Sequence, residues 1–122
     1  MLPPDVVAEL RAALLERRQE TAERLASLTG HFPDIVDAAS GANVDDEHDP
    51  EGATIAFERS QVDALAQGAR LELEEITAAL ARLDADSAGR CESCGEPIPL
   101  ARLQARPTAR HCVSCAASRA LR

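Results

Sequence analysis

Four cysteines constrain this 122-residue chain more than any other feature: Cys91 pairs with Cys94 and Cys112 with Cys115, each as Cys-x-x-Cys, with seventeen residues between the pairs. A two-residue gap lets two thiolates of one tight knuckle take adjacent corners of a tetrahedron, and a second knuckle closes the other two; this spacing reads as a zinc site. Gly95, directly after the first pair, permits the left-handed backbone such a knuckle needs. Pro97, Pro99 and Pro107 stiffen the connecting arm. Four sulfur ligands leave no open position, so one structural Zn2+ is expected and not a hydrolytic one. Its binding free energy, on the order of 10 kcal/mol, would be folding free energy for so small a module. The competing readings of the cysteines are two disulfides or a dithiol redox site. His111 adjoins Cys112, but four thiolates suffice without it, and His31 and His48 have no second ligand at helical spacing.

The rest of the chain has little with which to build an ordinary core. Aromatic residues make up 2% of it, and Ala, Leu, Glu and Arg dominate, which is the composition of long helices. From Asp5 to Leu28, the residues Val7, Leu10, Leu14, Thr21 and Leu28 recur at helical spacing, with Arg17 and Arg24 on the same seam. Pro3 and Pro4 stand where a helix can begin and Gly30 where one stops, which predicts helix 5–28. Residues 30–53 contain Pro33, Gly41, Asn43, Pro50 and Gly52 and read as a loop, with a short helical turn around Ile35–Ala39. Helix 54–86 follows. Its seam is Val62, Leu65, Ala69, Leu73, Ile76, Leu80 and Leu83, a heptad pattern with one four-residue step too many at Ala69–Leu73, where the supercoil should relax; Gly89 ends the helix.

Neither helix can bury its stripe alone. The expected fold is all-α: an antiparallel coiled-coil hairpin over residues 1–88, with an acidic tip loop, followed by a C-terminal four-cysteine zinc finger with a short helix over residues 89–122. A bundle formed by oligomerisation is the alternative.

The net charge is −8 and every one of the 13 basic residues is Arg. An acidic chain is repelled by phosphate backbones, so sequence-specific DNA binding is not expected. The charge is segregated. No basic residue lies between Arg24 and Arg59, where eight acids fall, whereas from Arg90 onward the sign reverses. Residues 1–5 offer neither the basic nor the apolar region of a secretion signal, and no apolar run approaches the ~20 residues of a membrane span; the cytoplasm is the expected location.

The run from Cys91-Glu-Ser-Cys-Gly to Arg102-Leu-Gln-Ala-Arg-Pro-Thr-Ala-Arg-His-Cys112 resembles the zinc finger of the DksA/TraR family of bacterial transcription regulators, and the hairpin ahead of it fits that family too. The resemblance implies a regulator that binds RNA polymerase itself. The hairpin would enter the polymerase secondary channel, and the finger would stay at the rim through Arg102, Arg106 and Arg110. The family's Asp-x-x-Asp-x-Ala tip motif stands here as Asp34, Asp37 and Ala39, after Phe32-Pro33. A second acidic cluster, Asp46 to Asp49, lies nearer the usual family distance from the finger and is the alternative tip. Carboxylates at a tip suit a basic, metal-containing channel. The alarmone ppGpp acts with some members through basic residues between finger and polymerase; Arg106 matches one, but Glu75 and Ala116 stand at the others and cannot bind phosphate, which argues against alarmone cooperation.

Rival readings are a zinc ribbon that contacts nucleic acid or another protein through its basic end, and a thiol switch that releases zinc on oxidation. An enzyme is not expected: no catalytic residue is assigned, and the paired carboxylates lie in a loop without a preformed pocket. A variant survives in which the tip acids lend a metal ligand to the polymerase's own chemistry.

Overall fold

Helices account for nearly all of the regular structure. The computed structural model describes residues 2–41 and 50–120 and contains α1 (Pro4–Gly41), α2 (Pro50–Asp84), α3 (Leu100–Ala105) and α4 (Val113–Ala120). Among the described residues there is no strand, only an isolated antiparallel bridge between Arg90 and Pro97.

The expected helix limits need correction. The first helix does not end at 28, nor do residues 30–41 and 50–53 form a loop: α1 continues through Gly30 and Pro33 to Gly41, and α2 begins at Pro50. A breaker is a finite local penalty, roughly 1 kcal/mol for Gly and 3 kcal/mol for Pro. An already nucleated helix extends more cheaply than a new one starts. Pro50 breaks a helix from within, yet the first helical position is where proline is favoured, since the missing N–H has no partner there anyway. The same logic starts α1 at Pro4, where the Pro3 carbonyl accepts from Val7 N at 3.0 Å.

The described chain groups into two compact units. One comprises the chain up to Gln19 together with everything from Glu74 onward; the other is Glu20–Leu73. These units cut across both long helices, whereas the sequence suggested a boundary between 88 and 89. The reason is the core of the first unit. Val6, Leu10 and Leu14 of α1, Ile76, Ala79 and Leu83 of α2, and Cys91, Ile98 and Leu103 of the cysteine module form one buried cluster. In that unit Arg11 Nη1 meets Asp84 Oδ1 at 2.7 Å, and in the other Arg24 Nη2 meets Glu72 Oε2 at 2.7 Å. Exposed ion pairs of this kind fix register more than they stabilise.

The seam of α2 also differs from expectation. Leu65 is 61% exposed, and Ala66, at 5%, is buried in its place. With Val62 half-buried, the inward positions become 62, 66, 69, 73 and 76, an alternation of fours and threes, followed by buried Ala79 beside half-buried Leu80 and then by buried Leu83. The step at Ala69–Leu73 is therefore one of the regular fours of this alternation, not the extra-residue step expected to relax the supercoil. Weighting by hydrophobicity favoured the leucine; burial between two helices favours the alanine because its small side chain fits a close approach. On α1, Val6 is buried and Val7 only partly so.

Helix α2 ends at Asp84, two residues short of expectation, in a hydrogen-bonded reversal: Ser87 N donates to Arg82 O at 2.9 Å and Asp86 N to Leu83 O at 3.3 Å. This places Asp86 in the left-handed position that glycine usually fills, with φ 57°. Gly89, with φ 92°, lies further on in the turn into the finger, where an added Cβ would meet Leu2 at 3.0 Å. Aspartate at the end of a helix also opposes the helix dipole. Asp86→Gly is expected to stabilise the protein by about 1 kcal/mol, read as a higher midpoint in urea at unchanged slope.

Candidate functional site

The cysteine module is built from two knuckles. In the first, Gly95 N donates to Cys91 O and Cys91 N to Glu96 O, both at 2.9 Å, closing a tight turn that Gly95 completes with φ 76°. The second knuckle runs into α4, where Ala116 N donates to Cys112 O at 2.9 Å. Glu92 N reaches Arg110 O at 2.9 Å and Arg102 Nε reaches His111 O at 2.8 Å, tying the two knuckles and α3 together. Helix α3 escaped the sequence reading, which treated the arm between the knuckles as proline-stiffened chain. Pro99 stands at its N-cap and Pro107 just beyond its C-cap Arg106, so the prolines delimit a helical turn instead of preventing one.

All four Sγ atoms lie within 4.8 Å of one another, and Cys94 Sγ and Cys112 Sγ are 3.9 Å apart. Tetrahedral zinc with bonds of about 2.3 Å sets its sulfurs about 3.8 Å apart, so the donor set fits the ion. None of the cysteines is in a disulfide. His111 is not part of the cluster among the described residues, and the site is closed by four thiolates. The electrostatics point the same way. Burial opposes ionisation of Cys91, but backbone N–H groups of Cys112, Cys94 and Ser93 outweigh it and bring the thiol down to about 6. Hydrogen bonding with Cys112, and then with Cys91 and Cys94, pushes Cys115 up to about 12. Four thiols this close do not ionise together unaided; a divalent cation supplies the charge that lets them. The module holds one structural zinc ion.

Beside the zinc cluster, within the same unit, is an open groove of about 500 Å³ whose lining includes Arg102, Arg106, Arg110 and Arg119. The structure thus brings together all three arginines singled out from the sequence. Glu75 and Ala116 line the same groove as Arg106. Arg119 was missed, although a helix starting at the second knuckle puts Ala116, Arg119 and Ala120 on one face, and all three line the groove. Arg82 was missed too: its Nη2 donates to Thr108 O at 3.3 Å, and burial, followed by nearby Arg110, lowers its pKa against the opposing pull of Glu92 and Glu75.

Of the expected tip residues, Asp34, Asp37 and Ala39 have helical backbone in α1, and their side chains lie outside the described residues; Asp46 and Asp49 lie outside them altogether. No helix among the described residues is long and apolar enough to cross a membrane.

A family model described as the prokaryotic dksA/traR C4-type zinc finger matches residues 86–119. The chain is 33% identical over 96 residues to the RNA polymerase-binding transcription factor DksA of Caulobacter vibrioides, an alignment that covers 79% of this chain and 58% of that protein. The chain thus spans little more than half the length of that curated relative. Among solved structures, transcription factor DksA2 from Pseudomonas aeruginosa superposes with a TM-score of 0.79 at 28% identity, covering 95% of this chain and 84% of that one. The DnaK suppressor protein from Agrobacterium tumefaciens C58 superposes with a TM-score of 0.58 at 33% identity, with 92% of each chain covered.

Proposed function

We propose, from the premise that this chain belongs to the DksA/TraR family, that it is a non-enzymatic cytoplasmic regulator that binds RNA polymerase directly and modulates initiation. Its helical hairpin would enter the secondary channel, with Asp34, Asp37 and Ala39 acting near the active centre, or Asp46 and Asp49 if the second acidic cluster is the working tip. Arg102, Arg106 and Arg110 would contact the channel rim. The observation that carries this reading is the similarity, over 79% of the chain, to a protein named for binding RNA polymerase. The segregation of charge supports it: the acids stand in the middle of the chain and arginines gather beside the zinc cluster. Zinc on this reading is structural, since four thiolates leave no site for substrate. Alarmone ppGpp is not part of it. Glu75 and Ala116 add a negative charge and a methyl group to the groove at the places where the family resemblance puts phosphate-binding cations.

The test is a titration of zinc-loaded protein against core RNA polymerase, with a known secondary-channel factor as competitor. Saturable binding that the competitor displaces is expected; no binding by protein with an intact zinc site sinks the proposal. Asp34→Ala with Asp37→Ala should then leave polymerase affinity within about threefold and abolish the effect on initiation, because tip groups that act at the active centre contribute little to docking. If that pair is silent and Asp46→Ala with Asp49→Ala is not, the second cluster is the tip.

A further inference from the structure

Helix α2 carries a second apolar seam, separate from the buried one. The inward positions run through Val62, Ala66, Ala69 and Leu73. On another side of the helix, Phe57, Gln61, Ala64, Gly68 and Leu71 repeat at the same steps of four and three, and all five are exposed, with exposed Leu65 beside them. Phe57 is one of two phenylalanines in the chain and is 64% exposed, while Leu65 and Leu71 are 61% and 51% exposed. An added Cβ at Gly68 would meet nothing within 4 Å, so the seam has an open hole in it. Exposed apolar residues scattered singly need no explanation; large ones in register with a glycine that weakens the helix do. A helix with one neighbour needs one apolar stripe, and a second stripe at coiled-coil spacing suits a second helix. The seam is about 20 Å long, the length of roughly four helical turns.

Charge decides what kind of helix that is. The positions flanking the seam on one side are Glu58, Leu65 and Glu72, and Arg24 of α1 reaches Glu72 Oε2 at 2.7 Å. On the other side stand Ser60 and Gln67. No cation therefore flanks the seam from α2 itself. The compact unit that contains it, Glu20–Leu73, carries twelve acids against three arginines. A second copy of this chain would bring the same excess of negative charge, and a two-fold axis at Leu65 would set Glu58 near the second copy's Glu72. Phosphate backbones and anionic lipid surfaces are repelled for the same reason. The occupant that complements the face is a basic amphipathic helix, with apolar side chains in the seam and Lys or Arg at the positions that meet Glu58. Gln61, polar within the seam, sets the register of such a partner.

We propose that the outer seam of α2 docks a basic amphipathic helix of another protein, with Phe57 and Leu71 as anchors and Gly68 as the hole that a large partner side chain enters. This goes beyond the polymerase reading and is tested without polymerase. The probe is a synthetic helical peptide of three heptads, with Leu and Ile at its core positions and Lys at the flanking ones; an otherwise identical peptide carries Glu there. Each is titrated into the zinc-loaded full chain at about 0.15 M salt, where long-range attraction is screened, and the backbone amides are followed by NMR. The Lys peptide should saturate and shift the signals of Phe57, Gln61, Ala64, Gly68 and Leu71, and the Glu peptide should bind at least about tenfold more weakly. Phe57→Ser with Leu71→Ser leaves the charge unchanged and should weaken the Lys peptide about tenfold or more, as should Gly68→Phe, which fills the hole. Leu15→Ser, an exposed leucine on α1, should change it less than about twofold. Zinc content and helical circular dichroism confirm that each variant is folded. A Lys peptide whose affinity the seam variants leave unchanged is held only by unspecific attraction to an acidic protein, and that result overturns the proposal. So does a dimer of the chain itself, seen in sedimentation, that the same variants dissociate, since the occupant is then a second copy.

Discussion

Removing the zinc is expected to unfold the first compact unit, not merely the cysteine module. Cys91 is at once a ligand and, at 3% exposure, a member of the buried cluster that includes Leu10, Leu14, Ile76 and Leu103. Without the ion, four thiols are forced together with one held near 6 and another near 12, a set that cannot share the negative charge the knuckles are shaped to hold. With it, the metal contributes binding energy on the order of 10 kcal/mol, about as much as the whole folding free energy of a small domain. A strong chelator, or Cys112→Ser, should therefore collapse the NMR dispersion of the finger and of the α1 and α2 residues packed on it, and lower helical circular dichroism. Readdition of zinc should restore both. Acid should act in the same direction, since every ligand must shed its proton to bind: metal is held at neutral pH and lost as pH falls and protons compete for the sulfurs. Retention of the native spectrum in zinc-free protein would refute the assignment of a structural metal.

How much of this could be read in advance follows from what each feature depends on. The ligand set was legible because coordination geometry imposes a fixed spacing, and Cys91, Cys94, Cys112 and Cys115 satisfy it without help from tertiary context. The helical hairpin was legible from periodicity. Its details were not, wherever two local tendencies competed. Leu65 outranks Ala66 in hydrophobicity, but only the approach of the partner helix decides which of the two faces inward. Gly30 and Pro33 carry a helix-breaking signal that the cooperativity of a long helix overrides. Asp86 in a left-handed cap has no sequence signature, since glycine is the residue that marks such a position. The groove was half legible: Arg102, Arg106 and Arg110 drew notice through a motif, whereas Arg119 needed the start of α4 to be known before its face could be assigned.

Leu103→Ala should destabilise the finger and both long helices together, by about 2–5 kcal/mol, the range for deleting a buried leucine side chain. Leu103 is 2% exposed and lies in a cluster fed by α1, α2 and the finger. Its removal leaves a cavity bounded by all three, and the surroundings can close only by moving elements that the zinc knuckles also restrain. Hydrogen exchange separates this from a modular finger. At about 1.4 kcal/mol per factor of ten, the amides of Leu10, Leu14 and Ile76 should lose protection roughly thirtyfold or more, in step with those of Ile98 and Leu103 themselves. Were the chain divided between residues 88 and 89, only the finger amides would respond. Leu100→Ala, on the same short helix but 43% exposed, should stay within about 0.5 kcal/mol of the parent and so controls for any loss of helix propensity. Cooperative loss across the three elements is what a single shared core requires; loss confined to the finger would return the boundary to where the composition of the chain first suggested it.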